Sequence, residues 1–321
     1  AVDTGSEVFW VRSAKLAAGA QNASESGAAS PAKNASGGHL GGDWAFVNAD
    51  SAPHFSVQYG RGHVAGEVRS SAVQLKEDEK AHSCQVGRAM DETGIWAKQQ
   101  TIDGILGLAC GGGEAGSLRC LFPQELAEVQ PEHVITMQLT KDGGKLVVGS
   151  IPAEYRASLY FMPPARQCGK WTAPLLALSA ATSGATEVFK GLQKPSEALL
   201  DSGTMSIVGP TFDVIALART LGATPAPAKD GYGGEVNFYN IPCAAQLTLP
   251  PVTLTLGAWG QEANVTLTGK ELVSEGSEDS ETCRLRIAGW ETESWILGVA
   301  FIEHLRGMVY DLDKHMVGLS L

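Results

Sequence analysis

A mostly β chain built from two related halves is what this sequence predicts, and three observations predict it. Gly is frequent, at 38 of 321 residues, where roughly 7% is usual; so many glycines suit tight turns between short strands better than long helices. Apolar residues alternate or cluster in short stretches bounded by turn residues, as in Phe55–Tyr59 and Val252–Leu256, which is the strand pattern. The chain also repeats itself. Ala1-Val2-Asp3-Thr4-Gly5-Ser6 is echoed by Leu199-Leu200-Asp201-Ser202-Gly203-Thr204, and Gly104-Ile105-Leu106-Gly107-Leu108 by Trp295-Ile296-Leu297-Gly298-Val299. The two motifs recur in the same order at nearly the same spacing, the signature of a duplicated fold.

Taken in order, the elements fit this class. The chain opens AVDTGSEVFW, with a motif already at residue 3; we expect it to start inside a domain, so a missing targeting signal says little about location. Residues 13–42 are dominated by Ala, Gly, Ser and Asn and cannot bury enough surface to offset ordering, which predicts an exposed loop. Strands are expected at Phe55–Tyr59, at Val64–Leu75 with Gly66 as a turn or bulge, at Lys145–Gly149 and at Val252–Leu256. Helices are few: Pro123–Val129, with Pro at its start, and Thr211–Leu221, stopped by Gly222. The two halves are read as lobes 1–157 and 158–321.

Composition narrows the function. The net charge is −11, from 24 Lys and Arg against 35 Asp and Glu, so nothing is available to neutralise phosphates and no nucleic-acid partner is expected. The seven His lie in no H-x-x-x-H arrangement and there is no C-x-x-C, so neither a metal nor another cofactor is expected. No apolar run reaches ~18 residues, so no membrane segment is expected in this stretch. Three N-x-S/T sequons (at Asn22, Asn34 and Asn264) and an even count of six Cys point to an oxidising compartment and a glycoprotein. The location expected is the secretory pathway, either secreted or endolysosomal or vacuolar.

An Asp-hydroxyl-Gly turn after an apolar strand is often only a turn, since Gly supplies positive φ and the Asp side chain bonds local backbone. Its occurrence twice within a repeat changes that reading. A pseudo-twofold axis would bring Asp3 and Asp201 side by side in a cleft. Two adjacent carboxylates cannot both ionise easily, so the pair holds one shared proton. Such a pair can activate water with one member and protonate a carbonyl oxygen with the other.

These motifs resemble those of the pepsin-like aspartic proteases over almost the whole chain. Asp3-Thr-Gly-Ser6 with Trp10 is similar to that family's first catalytic turn, and Tyr59-Gly60-Arg61-Gly62 with Gly66 to the flap hairpin, here near 55–70. Asp103–Leu108 is similar to the support of the first turn, and Asp201–Thr204 to the second catalytic turn. Trp295–Gly298 with Phe301, Tyr310-Asp311 and Val317–Leu319 is similar to the C-terminal segment. The resemblance implies two pseudo-twofold-related β lobes with a central cleft, acting as a monomer on peptide or protein substrates and open to pepstatin-type inhibitors.

Residue by residue, the resemblance implies Asp3 and Asp201 as the catalytic dyad. Ser6 and Thr204 would bond the outer carboxylate oxygens. Thr4 and Ser202 would bond backbone across the lobes, and Gly5 and Gly203 would let the turns approach. Tyr59 and Gly60 would lie on the flap, with the Tyr59 hydroxyl bonded to Trp10. Ile105 and Ile296 would line pockets flanking the scissile bond, implying apolar residues on each side of the cut. The family's second-lobe disulfide would be Cys243–Cys283. Cys110 and Cys120 are close enough to pair, Cys84 and Cys168 are what remains, and these pairings stay open.

The sequence departs from the family pattern in several places. The strands preceding the first Asp are missing, and the small disulfide before the flap is replaced by the 13–42 loop. Val299 follows Gly298 where acid-active members often carry Asp, which predicts a less acidic optimum than pepsin's. Met205 follows Thr204 where a small or hydroxyl residue is usual. Arg61 and His63 at the flap tip fit either a solvated hairpin or recognition of an acidic or polar substrate group.

A catalytically inactive homologue that binds peptide or protein in the same cleft is the competing reading, and the two intact Asp-x-Gly turns weigh against it. A serine hydrolase read from Asp201-Ser202-Gly203 fails for want of a G-x-S-x-G elbow. A retroviral-type protease fails because those are dimers of short chains with one Asp turn each.

Overall fold

The computed structural model describes residues 1–6, 8–13, 54–59, 62–74, 81–94, 96–97, 102–109, 130–163, 170–181, 188–190, 192, 195–226, 236–258, 260–274 and 281–321. The Pro123–Val129 helix and the 13–42 loop beyond Ser13 lie outside these residues. Ser13 itself is buried at the end of an extended segment, its N–H donating to the Ala89 carbonyl. The chain is mostly β, as its composition and periodicity predict, and divides into two compact units, Ala1–Phe122 and Pro123–Leu321.

The first unit carries six described strands: β1 (Val2–Asp3), β2 (Trp10–Arg12), β3 (His54–Tyr59), β4 (Gly62–Val73), β5 (His82–Glu92) and β6 (Gly104–Gly107). They form one sheet in the order β1-β6-β2-β5-β4-β3. Alternation in β3 and β4 turns Phe55, Val57, Val64 and Val68 onto one face, where they join Val8, Trp10, Ala89 and Ile105 in the core. β4 shifts register against β5 between Ala65 and Gly66, and a side chain at Gly66 would meet the Arg88 carbonyl oxygen at 2.0 Å. The glycine is what permits this bulge.

The second unit holds two larger sheets. One is antiparallel throughout, in the spatial order Gly143–Val148, Val134–Thr140, Gly307–Asp311, Met316–Ser320, Leu159–Phe161. The other is nine-stranded and contains Thr172–Ala181, Ser196–Leu200, Trp295–Leu297, Ile207–Pro210 and Ile287–Trp290 as consecutive neighbours, so strands far apart in the chain alternate across its centre. The helix Thr211–Thr220 buries Val214, Leu217 and Ala218 and stops at Gly222, whose φ of +74° is the left-handed geometry of a helix end. Trp171 and Tyr310 stack in the interior at 5.4 Å between ring centres. Cys243 and Cys283 are disulfide-bonded.

The sequence repeat reappears as a repeat of strand pairing. In the first unit β1 runs parallel to β6, β6 antiparallel to β2, and β2 parallel to β5. In the second, Ser196–Leu200 runs parallel to Trp295–Leu297, that strand antiparallel to Ile207–Pro210, and the latter parallel to Ile287–Trp290. Each Asp turn therefore sits on the same local scaffold.

Candidate active site

Asp3 ends β1, opposite Gly107 of β6. The residue is nearly buried, at 5% exposure. Oδ1 accepts the Gly5 N–H at 2.9 Å and Oδ2 accepts the Ser6 hydroxyl at 2.6 Å. Asp201 follows the strand Ser196–Leu200, and its N–H donates to the Leu297 carbonyl at 3.1 Å. Its Oδ1 accepts the Gly203 N–H at 2.8 Å and its Oδ2 accepts the Thr204 hydroxyl at 2.5 Å. The two carboxylates thus receive the same pair of donors from the same offsets in the chain. A backbone N–H and a short hydroxyl bond fix each group's plane and favour its charged form. Thr4 is fully buried and Ser202 half-buried.

The two turns are also braced alike. The Ser6 carbonyl accepts the Ala109 N–H at 3.0 Å, and the Thr204 carbonyl accepts the Val299 N–H at 2.7 Å. In each unit a glycine lets backbone pass close by. A side chain at Gly104 would meet the Trp10 carbonyl oxygen at 2.2 Å, and one at Gly298 the Thr204 carbonyl oxygen at 2.2 Å. Ile105 is buried in the core of the first unit and Ile296 in the centre of the nine-stranded sheet of the second. Met205, beside Thr204, is 67% exposed.

Tyr59 closes β3, and its hydroxyl accepts the Trp10 indole N–H at 2.8 Å. Burial first, and then the nearby Asp3 charge, push the Tyr59 phenol well above its ordinary value, outweighing hydrogen bonds from Trp10 and Ser6. The phenol stays protonated and hydrogen-bonded across the whole ordinary pH range. His63, read from the sequence as a flap-tip residue, lies across the hairpin with Nε2 at 2.7 Å from the Ser56 hydroxyl. Gly60 and Arg61 lie outside the described residues, as do Cys110, Cys120, Cys168 and the side chain of Cys84.

Three residues of this region carry no signal in the sequence. Trp96 packs edge-on against Trp10 and against Tyr59. Arg12 and Glu92 form a buried ion pair beside it. Their partners are remote in the chain, and only the pairing of β2 with β5 brings them together. Among the described residues no three His, Cys, Asp or Glu side chains gather to hold a metal ion, and no helix is long and apolar enough to cross a membrane.

Comparison with known proteins agrees with the motifs and their geometry. The model of the eukaryotic aspartyl protease family matches residues 1–321. Mouse cathepsin E is 27% identical over 280 residues, covering 83% of this chain and 65% of its own length. Herring (Clupea harengus) cathepsin D is 28% identical over 279 residues, with 83% and 65% covered. Human cathepsin D is 27% identical over 289 residues, with 83% and 66% covered. The chain thus spans just under two thirds of the length of these relatives. With both Asp turns built alike and the family model matched from end to end, this chain belongs to the eukaryotic aspartyl protease family.

Proposed function

We propose that this chain is an aspartic endopeptidase in which Asp3 and Asp201 act as one dyad. The observation that carries the reading is the identical donor set of the two carboxylates, each on the same strand scaffold. In the proposed reaction the dyad holds one proton. The ionised carboxylate takes a proton from water as the water oxygen bonds to the scissile carbonyl carbon, and the carboxylic acid gives its proton to the carbonyl oxygen. The resulting diol collapses as a proton passes to the leaving nitrogen and the C–N bond breaks. The products are a carboxylic acid and an amine, and the dyad returns with one proton and no covalent intermediate.

The other roles follow from the same reading. Ser6 and Thr204 hold the carboxylates in plane, Gly5 and Gly203 allow the turns to approach, and Thr4 and Ser202 lock them. Tyr59 and Gly60 belong to the flap that covers the peptide, and Trp10 holds Tyr59. Ile105 and Ile296 support apolar pockets on either side of the cut. The lobes are 1–157 and 158–321, the protein works as a monomer, and pepstatin-type inhibitors occupy the cleft. Val299 in place of a further carboxylate supports an optimum less acidic than pepsin's. The Cys243–Cys283 disulfide and the exposed sequon at Asn264 support a secretory route. The test is digestion of a mixed peptide library from pH 3 to 7 beside Asp3→Asn and Asp201→Asn. Cleavage between apolar residues, lost in both variants, is the expected result. Cleavage that survives either variant would overturn the dyad.

A further inference from the structure

Arg12 stands two residues after Trp10 on β2, so both side chains leave the same face of the sheet. Its guanidinium is 9% exposed and the Glu92 carboxylate 5%. Nε donates to both Glu92 oxygens, at 2.8 and 3.1 Å, and Nη2 donates to the Trp96 carbonyl oxygen at 2.7 Å. One side chain therefore joins three segments: β2, the end of β5, and the turn that carries Trp96.

The segments it joins are those that surround the flap tyrosine. Glu92 ends β5 opposite Val64 of β4, and the N–H of the next residue, Thr93, donates to the His63 carbonyl at 2.9 Å. The Trp96 ring lies 5.0 Å from the Tyr59 ring and 5.8 Å from Trp10, edge-on to the latter. The Trp96 indole nitrogen is buried and meets no hydrogen-bond partner among the described residues. That ring is not held by its own polar atom; its polar anchor is the backbone carbonyl bonded to Arg12.

A buried ion pair gains little stability over a well-packed apolar pair, because desolvation of both charges offsets their attraction. What an apolar pair cannot supply is a directed donor to the Trp96 carbonyl. Lys cannot supply it either while also holding Glu92, because it lacks the planar fork. We propose that the Arg12–Glu92 ion pair is a positioning device that sets Trp96 against Tyr59 and Trp10, and thereby sets the flap tyrosine over Asp3. Its catalytic consequence rests on the endopeptidase reading; its structural consequence does not.

The test compares Arg12→Lys, Glu92→Gln and the apolar double variant Arg12→Met/Glu92→Leu with the unsubstituted chain. The readouts are Tm, the near-ultraviolet circular dichroism of the aromatic cluster (defined by its loss in Trp96→Phe), hydrogen exchange across residues 54–65 and 92–97, and steady-state peptide hydrolysis. The expected result is a Tm close to the original for Arg12→Lys and the double variant. Both should lose most of the cluster's dichroism, exchange faster in those two segments only, and fall roughly tenfold in kcat with less change in KM. Original dichroism and exchange in Arg12→Lys would overturn the proposal, as would a fall in Tm with the cluster signature retained. Should the double variant not fold, Arg12→Lys and Glu92→Gln decide the question alone. If no variant, and not the original chain, cleaves any peptide, the endopeptidase reading fails, while dichroism and exchange still decide whether Arg12 positions the cluster.

Discussion

The indole N–H of Trp10 donates a 2.8 Å hydrogen bond to the phenol oxygen of Tyr59. Trp10 is fully buried, so this bond is what satisfies its side chain's only polar atom. Replacing Tyr59 with Phe keeps the ring against Trp96 and removes the acceptor. We expect the first unit to lose about 1–3 kcal/mol, the cost of a buried donor left unpaired, measured by denaturant unfolding. Peptide hydrolysis should fall with it. Unchanged stability in Tyr59→Phe would mean that packing alone holds the tyrosine.

Two glycines of the second unit separate close approach from simple turn geometry. At Gly298 a side chain would lie 2.2 Å from the Thr204 carbonyl oxygen and 2.4 Å from that of Ser206. Gly298→Ala should therefore displace the Asp201 turn, costing more than about 3 kcal/mol and abolishing hydrolysis. Gly222 has a φ of +74°, and a Cβ added there would find open space out to 4 Å. Gly222→Ala should cost only about 1 kcal/mol and leave hydrolysis intact. Thermal unfolding and a peptide assay on both variants check this; equal losses at the two positions would contradict it.

The Cys243–Cys283 bond closes a separation of 40 residues. In the chain-entropy model this stabilises the second unit by roughly 4 kcal/mol. The double variant Cys243→Ala/Cys283→Ala should melt markedly lower while its Asp201 turn, built on other strands, keeps its geometry. Scanning calorimetry gives the shift. A Tm unchanged by removal of both cysteines would show that this loop is already ordered in the unfolded chain.

Two carboxylates of the second unit set its response to acid. Burial by itself would raise the Asp311 carboxyl, but the Lys314 ammonium at 2.7 Å and the N–H groups of Lys314 and Asp313 outweigh it and hold it below the usual value. The Arg156 guanidinium, and then the Ile151 N–H, hold Glu132 low. For a carboxyl depressed in the folded state, the added stability is complete above the unfolded value of about 4 and is lost as pH falls through the lower folded value. Tm should therefore hold from pH 7 to about 4 and decline below. Asp311→Asn should lie below the original chain above that pH and converge with it in stronger acid. A gap that stays constant as the pH falls would contradict this assignment.

Much of the site is legible in the sequence because its motifs occur twice. One Asp-hydroxyl-Gly turn is ambiguous, but the recurrence around Asp3 and Asp201 locates both carboxylates and the hydroxyls that hold them, and strand periodicity locates Phe55–Tyr59. The Arg12–Glu92 pair is not legible. Charged residues on a strand read as solvent-facing, and these two meet only because β2 lies parallel to β5, a long-range pairing that no local pattern encodes. Trp96 escapes for the same reason, since its contacts are with Trp10 and Tyr59 rather than with its neighbours in the chain. His63 illustrates a smaller gap: a flap-tip residue read as solvated or substrate-facing bonds Ser56 across its own hairpin.

At the centre stands the proposal that Asp3 and Asp201 together activate one water. The most direct test is pepstatin titration of peptide hydrolysis, run in parallel on the original chain and on Asp201→Asn. The expected result is cleavage that pepstatin abolishes at one inhibitor per chain and that is absent from the variant. A folded chain that binds pepstatin but cleaves nothing, or that cleaves at an equal rate in the variant, would contradict it.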